Sequence, residues 1–298
     1  MPPTSGSQRR AGETPPVPEP EVADRTRSQS QAPAEDPLAA AAAAREIAAG
    51  MDPPPALIIL AQRLGLSPFE RDTLLLCAAA EYDPGFTNLF TRVHGSSARN
   101  YPTFGVALAA LDEPSWDALA AHRPLRQDRL IEINQHGATP LTSSPLRADE
   151  RIVNFIKGLN ALDERLAVVL TPVDTSVANA AESQKAAVES ILKMLHDSMQ
   201  ESLLPVVQLV GVDGGSKLAI TRQACATLNR GLFRVAAESL PQQLVEIEAL
   251  ARLWQRETFL LPVSLYIDAE SLEGSGTELH SAFQRFLSRG LGLVFLSV

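Results

Sequence analysis

Cysteine is nearly absent: Cys77 and Cys225 are the only two in the chain. Two thiols are too few for a disulfide scaffold or a cysteine-based zinc site, and both fall in helical patterns where they read as small buried apolar residues. Long apolar runs are missing too. No window holds the roughly 18 consecutive apolar residues that a membrane helix needs. Pro, Ser, Gln and Glu fill the N-terminus where a secretory signal would carry its apolar core. Positive charge is in deficit, since 26 Lys and Arg stand against 35 Asp and Glu for a formal net charge of −9. That balance disfavours nonspecific nucleic-acid binding. His94, His122, His136, His196 and His280 show no short metal-ligand spacing. A soluble, cytoplasmic protein without membrane contact is the expectation.

Apolar residues are also missing from one end. Met1 to Pro37 holds no Leu, Ile, Phe, Tyr or Trp but eight of the 22 prolines, so it cannot bury enough surface to offset its ordering entropy. We expect a disordered Pro/Ala-rich tail over residues 1–52, which includes the Ala-rich helical run Leu38 to Ala49. Patterning begins at Ala56 with a short helix to Leu64. Ser67-Pro68-Phe69-Glu70 then offers a cap, a proline for the first turn and a capping-box acid. Helices follow to about Ala80, from Asp83-Pro84 to His94 with Gly95 as stop, from Thr103 to Leu111, and briefly from Ser115. Arg129 to Ile133 reads as a strand, and Thr139 to Leu146 as a second, weaker one. Short helices followed by a two-stranded hairpin outline a winged-helix domain, placed at 53–174. Helices over Asp149–Lys157 and Asp163–Leu170 close it, and Thr171 to Ala178 reads as a linker.

Residues 175–298 alternate helix and strand: a helix from Glu182 to Met199, then strands near 205–210, 232–236, 260–267 and 291–298 with helices between them. Continuous apolar strands of this kind mean a parallel sheet covered on both faces. The fold class is therefore mixed, an α-rich winged-helix domain followed by a partial α/β phosphate-loop sheet.

After the first of these strands comes Gly211-Val212-Asp213-Gly214-Gly215-Ser216-Lys217-Leu218, in the strand-to-helix context of a phosphate loop. Gly211 and Lys217 keep the spacing of that motif. Ser216 stands where its second glycine belongs, and Leu218 where a hydroxyl would hold Mg²⁺. Two readings stay open: Gly211, Gly214, Gly215, Ser216 and Lys217 hold a nucleotide through charge and the helix dipole, or the segment is a Gly-rich turn that binds nothing. The strand Leu265-Tyr266-Ile267 ends in Asp268, where such folds position Mg²⁺. The alternative is that Asp268 caps a strand end. Ala269 occupies the place of an acid that would orient the attacking water, and Glu270 is one position late. Hydrolysis by this domain is not expected. Nor is a hydrolase triad, since Gly274-Ser275-Gly276 reads as a loop.

Leu64-Gly65-Leu66-Ser67-Pro68-Phe69-Glu70-Arg71-Asp72, Leu74 to Ala78, Tyr101-Pro102-Thr103, Arg129 to Glu132, Pro140-Leu141-Thr142 and Pro145 to Arg151 resemble bacterial AAA+ ATPases with an N-terminal winged-helix domain, some associated with contractile injection systems. The resemblance covers most of Ala56 to Val298. It implies a degenerate first ATPase module, in which the chain is truncated, ahead of an intact second one that supplies the working ATP site. It also implies a strand order of 5-1-4-3-2, of which this chain supplies strands one to four, and ATP and Mg²⁺ as candidate cofactors. The implied role is docking to a protein partner or regulating assembly, with oligomerisation through the AAA+ part. An ATPase using Lys217 and Asp268, or a DNA-binding regulator, would be the competing roles. For DNA, the candidate recognition helix Thr103–Leu111 has no Lys, Arg, Asn or Gln. Arg123, Arg126, Arg129, Arg147 and Arg151 flank the hairpin, and two readings stay open: a phosphate-contacting wing, or a solvated face paired with Asp128, Asp149 and Glu150.

Overall fold

A computed structural model describes residues 36–176, 181–198, 204–272 and 276–298. The tail expected over Met1–Pro37 lies outside them except for its last two residues. The chain divides into two compact units, Met1–Glu46 and Ile47–Val298. The Ala-rich run enters helix α1 (Pro37–Ala49), which buries none of its residues.

In the second unit, α2 (Ala56–Leu64), α3 (Pro68–Tyr82), α4 (Gly85–His94) and α5 (Phe104–Ala110) form where local signals place them. The Ser67 hydroxyl accepts from the Glu70 N–H at 3.2 Å, and the Glu70 carboxylate accepts from the Ser67 N–H at 2.9 Å. This reciprocal cap satisfies two of the donors that a helix start leaves unpaired. Ser67→Ala should lower stability by about 1 kcal/mol, read from the denaturant midpoint at unchanged slope. Gly95 ends α4 in the left-handed conformation, at φ 64°.

After α6 (Pro124–Gln127), a helix missing from the sequence reading, β1 (Ile131–Ile133) pairs antiparallel with β2 (Leu146–Ala148). The first strand is shorter than expected, and the second is displaced: β2 shares only Leu146 with the expected Thr139–Leu146. Arg129 sits at φ 50°, which delays the first strand. Residues 141–143 form a 3₁₀ turn in place of a strand, because Pro140 and Pro145 have no N–H to offer a ladder. Helices α7 (Glu150–Ile156) and α8 (Glu164–Ala167) follow.

The expected linker is in part a strand. β3 (Thr171–Val173) pairs antiparallel with β5 (Gly231–Ala236). Pro172 is tolerated there because β3 is the outer strand of its sheet. The remaining elements are α9 (Glu182–Ser198), β4 (Val206–Leu209), α10 (Gly214–Thr227), α11 (Leu244–Leu260), β6 (Val263–Asp268), α12 (Thr277–Leu287) and β7 (Leu293–Ser297). The sheet order is β3-β5-β6-β7-β4, with β5, β6, β7 and β4 mutually parallel. Those four strands follow the expected 1-4-3-2 order.

Strand alternation splits the sheet core in two. Leu265, Ile267, Val294 and Leu296 face α11 and α12 through Leu250, Trp254, Phe283 and Phe286. Tyr266, Leu293 and Phe295 face α9 and α10 through Val188, Ile191, Leu195, Ala224 and Cys225. A third cluster joins α2, α3, α5, the hairpin and α7, and it takes in Leu260 of α11. Cys77 and Cys225 are both free and buried.

Candidate functional site

The carboxyl ends of β4, β6 and β7 bring the sequence-predicted site residues to one place. Gly211 follows β4, and its N–H donates to the Val298 carbonyl at 3.3 Å. Gly214, Gly215, Ser216 and Lys217 form the first turn of α10, which starts four residues earlier than expected. The cause is Asp213. Its Oδ1 accepts from the Gly215 N–H at 3.0 Å and its Oδ2 from the Ser216 hydroxyl at 2.6 Å. Hydrogen bonds from Ser216, side chain first, hold the Asp213 carboxyl below the usual range, so it is an anion at neutral pH. Gln184 of α9 donates to the Ser216 hydroxyl at 2.9 Å.

Lys217 is almost fully withdrawn from solvent, with 6% of its side chain exposed. Its Nζ lies 2.5 Å from Glu270 Oε1 and donates to the Gly211 carbonyl at 2.8 Å and the Val298 carbonyl at 3.1 Å. An ammonium has three N–H donors, so these acceptors use all of them. Glu270 also accepts from the Ser297 hydroxyl at 3.0 Å. Its carboxyl is pulled below the usual range by hydrogen bonds from Lys217 and then Ser297. Oε1 lies so close to the backbone of Gly214 that a Cβ there would meet it at 3.1 Å. Glu270, expected from its one-position offset to point away from the loop, turns into it and reaches the lysine. Sequence spacing offers no signal for that contact.

Asp268, the candidate metal ligand, ends β6 and is ion-paired with Arg234 of β5 at 2.6 Å. Ala269 beside it is buried, and Leu218 follows Lys217 in α10. As arranged, these residues do not fit a Mg²⁺-bound nucleoside triphosphate. The lysine is satisfied internally, one carboxylate takes a helix-start donor, another lies against the loop, and no hydroxyl follows the lysine. Among the described residues, no group of three or more His, Cys, Asp or Glu side chains is placed to hold a metal ion.

Four of the arginines around the hairpin make their direct side-chain contacts inside the protein, with groups other than Asp128, Asp149 and Glu150. Arg123 pairs with Glu70 (Nε to Oε1, 3.0 Å) and with Asp117 at 3.4 Å. Arg126 donates to the Leu119 carbonyl at 2.7 Å, and Arg147 pairs with Glu81 at 2.9 Å. Arg151 pairs with Glu257 of α11 at 3.0 Å. Arg256 of α11 reaches Asp149 at 3.2 Å and Asp163 at 2.5 Å, and donates to the Arg129 carbonyl at 2.8 Å. Arg165 completes the cluster on Asp149 and Asp163. In α5, Phe104, Val106 and Ala107 are buried.

A family model described as "Winged helix domain, variant" matches residues 4–170, more than half of the chain. The chain belongs to this family. Its winged-helix part holds both the hairpin and the aspartates of the ion cluster. No curated protein matches the chain. Among solved structures, the FIGL-1 AAA domain is similar over 47% of this chain at 22% identity, with a TM-score of 0.34. The chain spans just over half of that structure's length, 56%. No helix among the described residues is long and apolar enough to cross a membrane.

One winged-helix carboxyl predicts a pH dependence. Burial pushes Asp128 up to about 6, against the opposing charges of Arg256 and Arg252. A carboxyl raised on folding binds protons more tightly in the native state. Its stabilising contribution is therefore full below the unfolded value near 4 and lost as pH rises through about 6. Asp128→Asn should raise stability at pH 7.5 by about 1–2 kcal/mol and flatten its fall between pH 5 and 7.5. Urea midpoints of both proteins at the two pH values check this.

Proposed function

We propose that this chain is the winged-helix and AAA-like part of an ATPase of the contractile-injection-system-associated type, serving to dock a protein partner or regulate assembly without hydrolysing ATP itself. In this reading, residues 53–174 are the winged-helix domain and 175–298 a degenerate AAA+ module. A second, intact module supplies the working ATP site, and oligomers form through the AAA+ part. The observation that carries the reading is the pairing of Asp268 with Arg234 at 2.6 Å. That contact neutralises the strand-end carboxylate that would hold the metal, next to an alanine where a water-orienting acid would stand. The internal pairing of Arg123, Arg147 and Arg151 supports protein docking over DNA readout.

Titrating the purified chain with a fluorescent ATP analogue, with and without Mg²⁺, tests it. The expected result is no binding that Mg²⁺ strengthens. Tight Mg²⁺-dependent binding would overturn the reading in favour of a working nucleotide site. DNA affinity with a steep salt slope would overturn it in favour of a regulator.

A further inference from the structure

We infer that Glu270 is a built-in anion that occupies the phosphate position on Lys217 and latches the α10 loop closed against external oxyanions. The inference rests on the reading of this module as degenerate, and it adds the side chain that competes with an external oxyanion for Lys217.

The argument starts from burial. An ammonium with so little of its side chain exposed needs compensating acceptors and, where possible, an opposite charge. Two carbonyls, of Gly211 and Val298, supply the neutral acceptors, and Glu270 supplies the opposite charge. The carboxylate is fixed from the other side by the Ser297 hydroxyl at 3.0 Å. The latch therefore ties together the loop after β4, the turn after β6 and the end of β7. A backbone turn with an N-terminal helix dipole and a lysine is built to hold an oxyanion. Here the oxyanions are the protein's own: Asp213 takes the Gly215 N–H, and Glu270 takes the lysine at 2.5 Å, against the backbone of Gly214. The lowered protonation tendency of Glu270 agrees with a permanently charged occupant. An external phosphate chain would have to expel that carboxylate first.

Removing the carboxylate should convert the loop into a receptor for polyphosphate-class anions. The test uses the full chain with inorganic tripolyphosphate and no metal, comparing wild type, Glu270→Ala, Glu270→Gln and the Lys217→Met/Glu270→Ala double variant. Binding is measured by calorimetry, and melting temperature with and without the anion. The wild type should show no melting shift. Glu270→Ala should melt lower and be restored by tripolyphosphate, binding it about tenfold or more tighter than wild type. The double variant should lose the response. Glu270→Gln keeps the side-chain shape and its hydrogen bond to Ser297. It should gain affinity even if the alanine variant does not fold. Equal affinity in wild type and folded Glu270→Gln would overturn the latch, as would no gain in either. MgATP turnover in the same samples separates the two claims. Turnover by wild type overturns the non-hydrolysing reading, whereas a missing gain in Glu270→Gln without turnover overturns only the latch.

Discussion

Arg256→Ala should lower folding stability by about 3–5 kcal/mol, the range for breaking a buried ion pair from one side. For a chain of this length that corresponds to a fall in melting temperature on the order of 10 °C. Arg256 is completely buried in α11, and its guanidinium bridges Asp149, Asp163 and the Arg129 carbonyl. Truncation would leave two aspartates, each only 2% exposed, facing a single remaining arginine that is 39% exposed. It would also orphan a backbone carbonyl. Arg252, exposed on the same helix, is the control, and Arg252→Ala should stay within about 0.5 kcal/mol. Chemical denaturation of both variants at pH 7 measures the difference, and a loss below 1 kcal/mol for Arg256→Ala would contradict this account.

The pH profile should change as well. Burial raises the Asp163 carboxyl, but hydrogen bonds from Arg165 and the charges of Arg165 and Arg256 outweigh it and hold the group below the usual carboxylate range. A carboxyl depressed on folding stabilises the native state above its unfolded value near 4, and that contribution is lost as pH falls through the folded value. Arg256→Ala should weaken this acid-side loss.

Trp254→Ala should cost a similar amount, about 3–5 kcal/mol. Trp254 is almost fully buried between α11 and the sheet, packs edge-on to Phe233 with ring centres 6.0 Å apart, and donates its indole N–H to the Leu291 carbonyl at 2.9 Å. Loss of the ring opens a cavity under β5, β6 and β7, and the carbonyl loses its partner. Trp254→Phe should cost less, about 1–3 kcal/mol, because the carbonyl is still orphaned while most of the volume is kept. Equal losses for the two variants would mean that the hydrogen bond, not the packing, dominates.

Most helices and the parallel strands were legible because their signals are local. Ser67, Pro68 and Glu70 write the start of α3, Gly95 writes the end of α4, and the apolar runs around Val207, Leu265 and Phe295 write buried strands. β3 was not legible, since three residues centred on a proline carry no strand pattern and exist only through pairing with β5. The candidate loop could be found from spacing, and so could Asp268. What happens there could not. Lys217 and Glu270 meet because β4 and β6 flank β7 in register, with Leu209 opposite Ser297 and Ser297 opposite Asp268. The ion cluster is hidden for the same reason, as Arg256 and Asp163 lie 93 residues apart and Arg151 and Glu257 lie 106 apart. Local periodicity gives each of these side chains a face of its helix but no partner.

Steady-state MgATP turnover by the purified chain, set beside Lys217→Ala, tests the central claim most directly. With Lys217 held by Glu270 and Asp268 held by Arg234, both proteins should release phosphate at the same background rate, with no stimulation by Mg²⁺. Mg²⁺-stimulated turnover in the wild type that Lys217→Ala abolishes would contradict it.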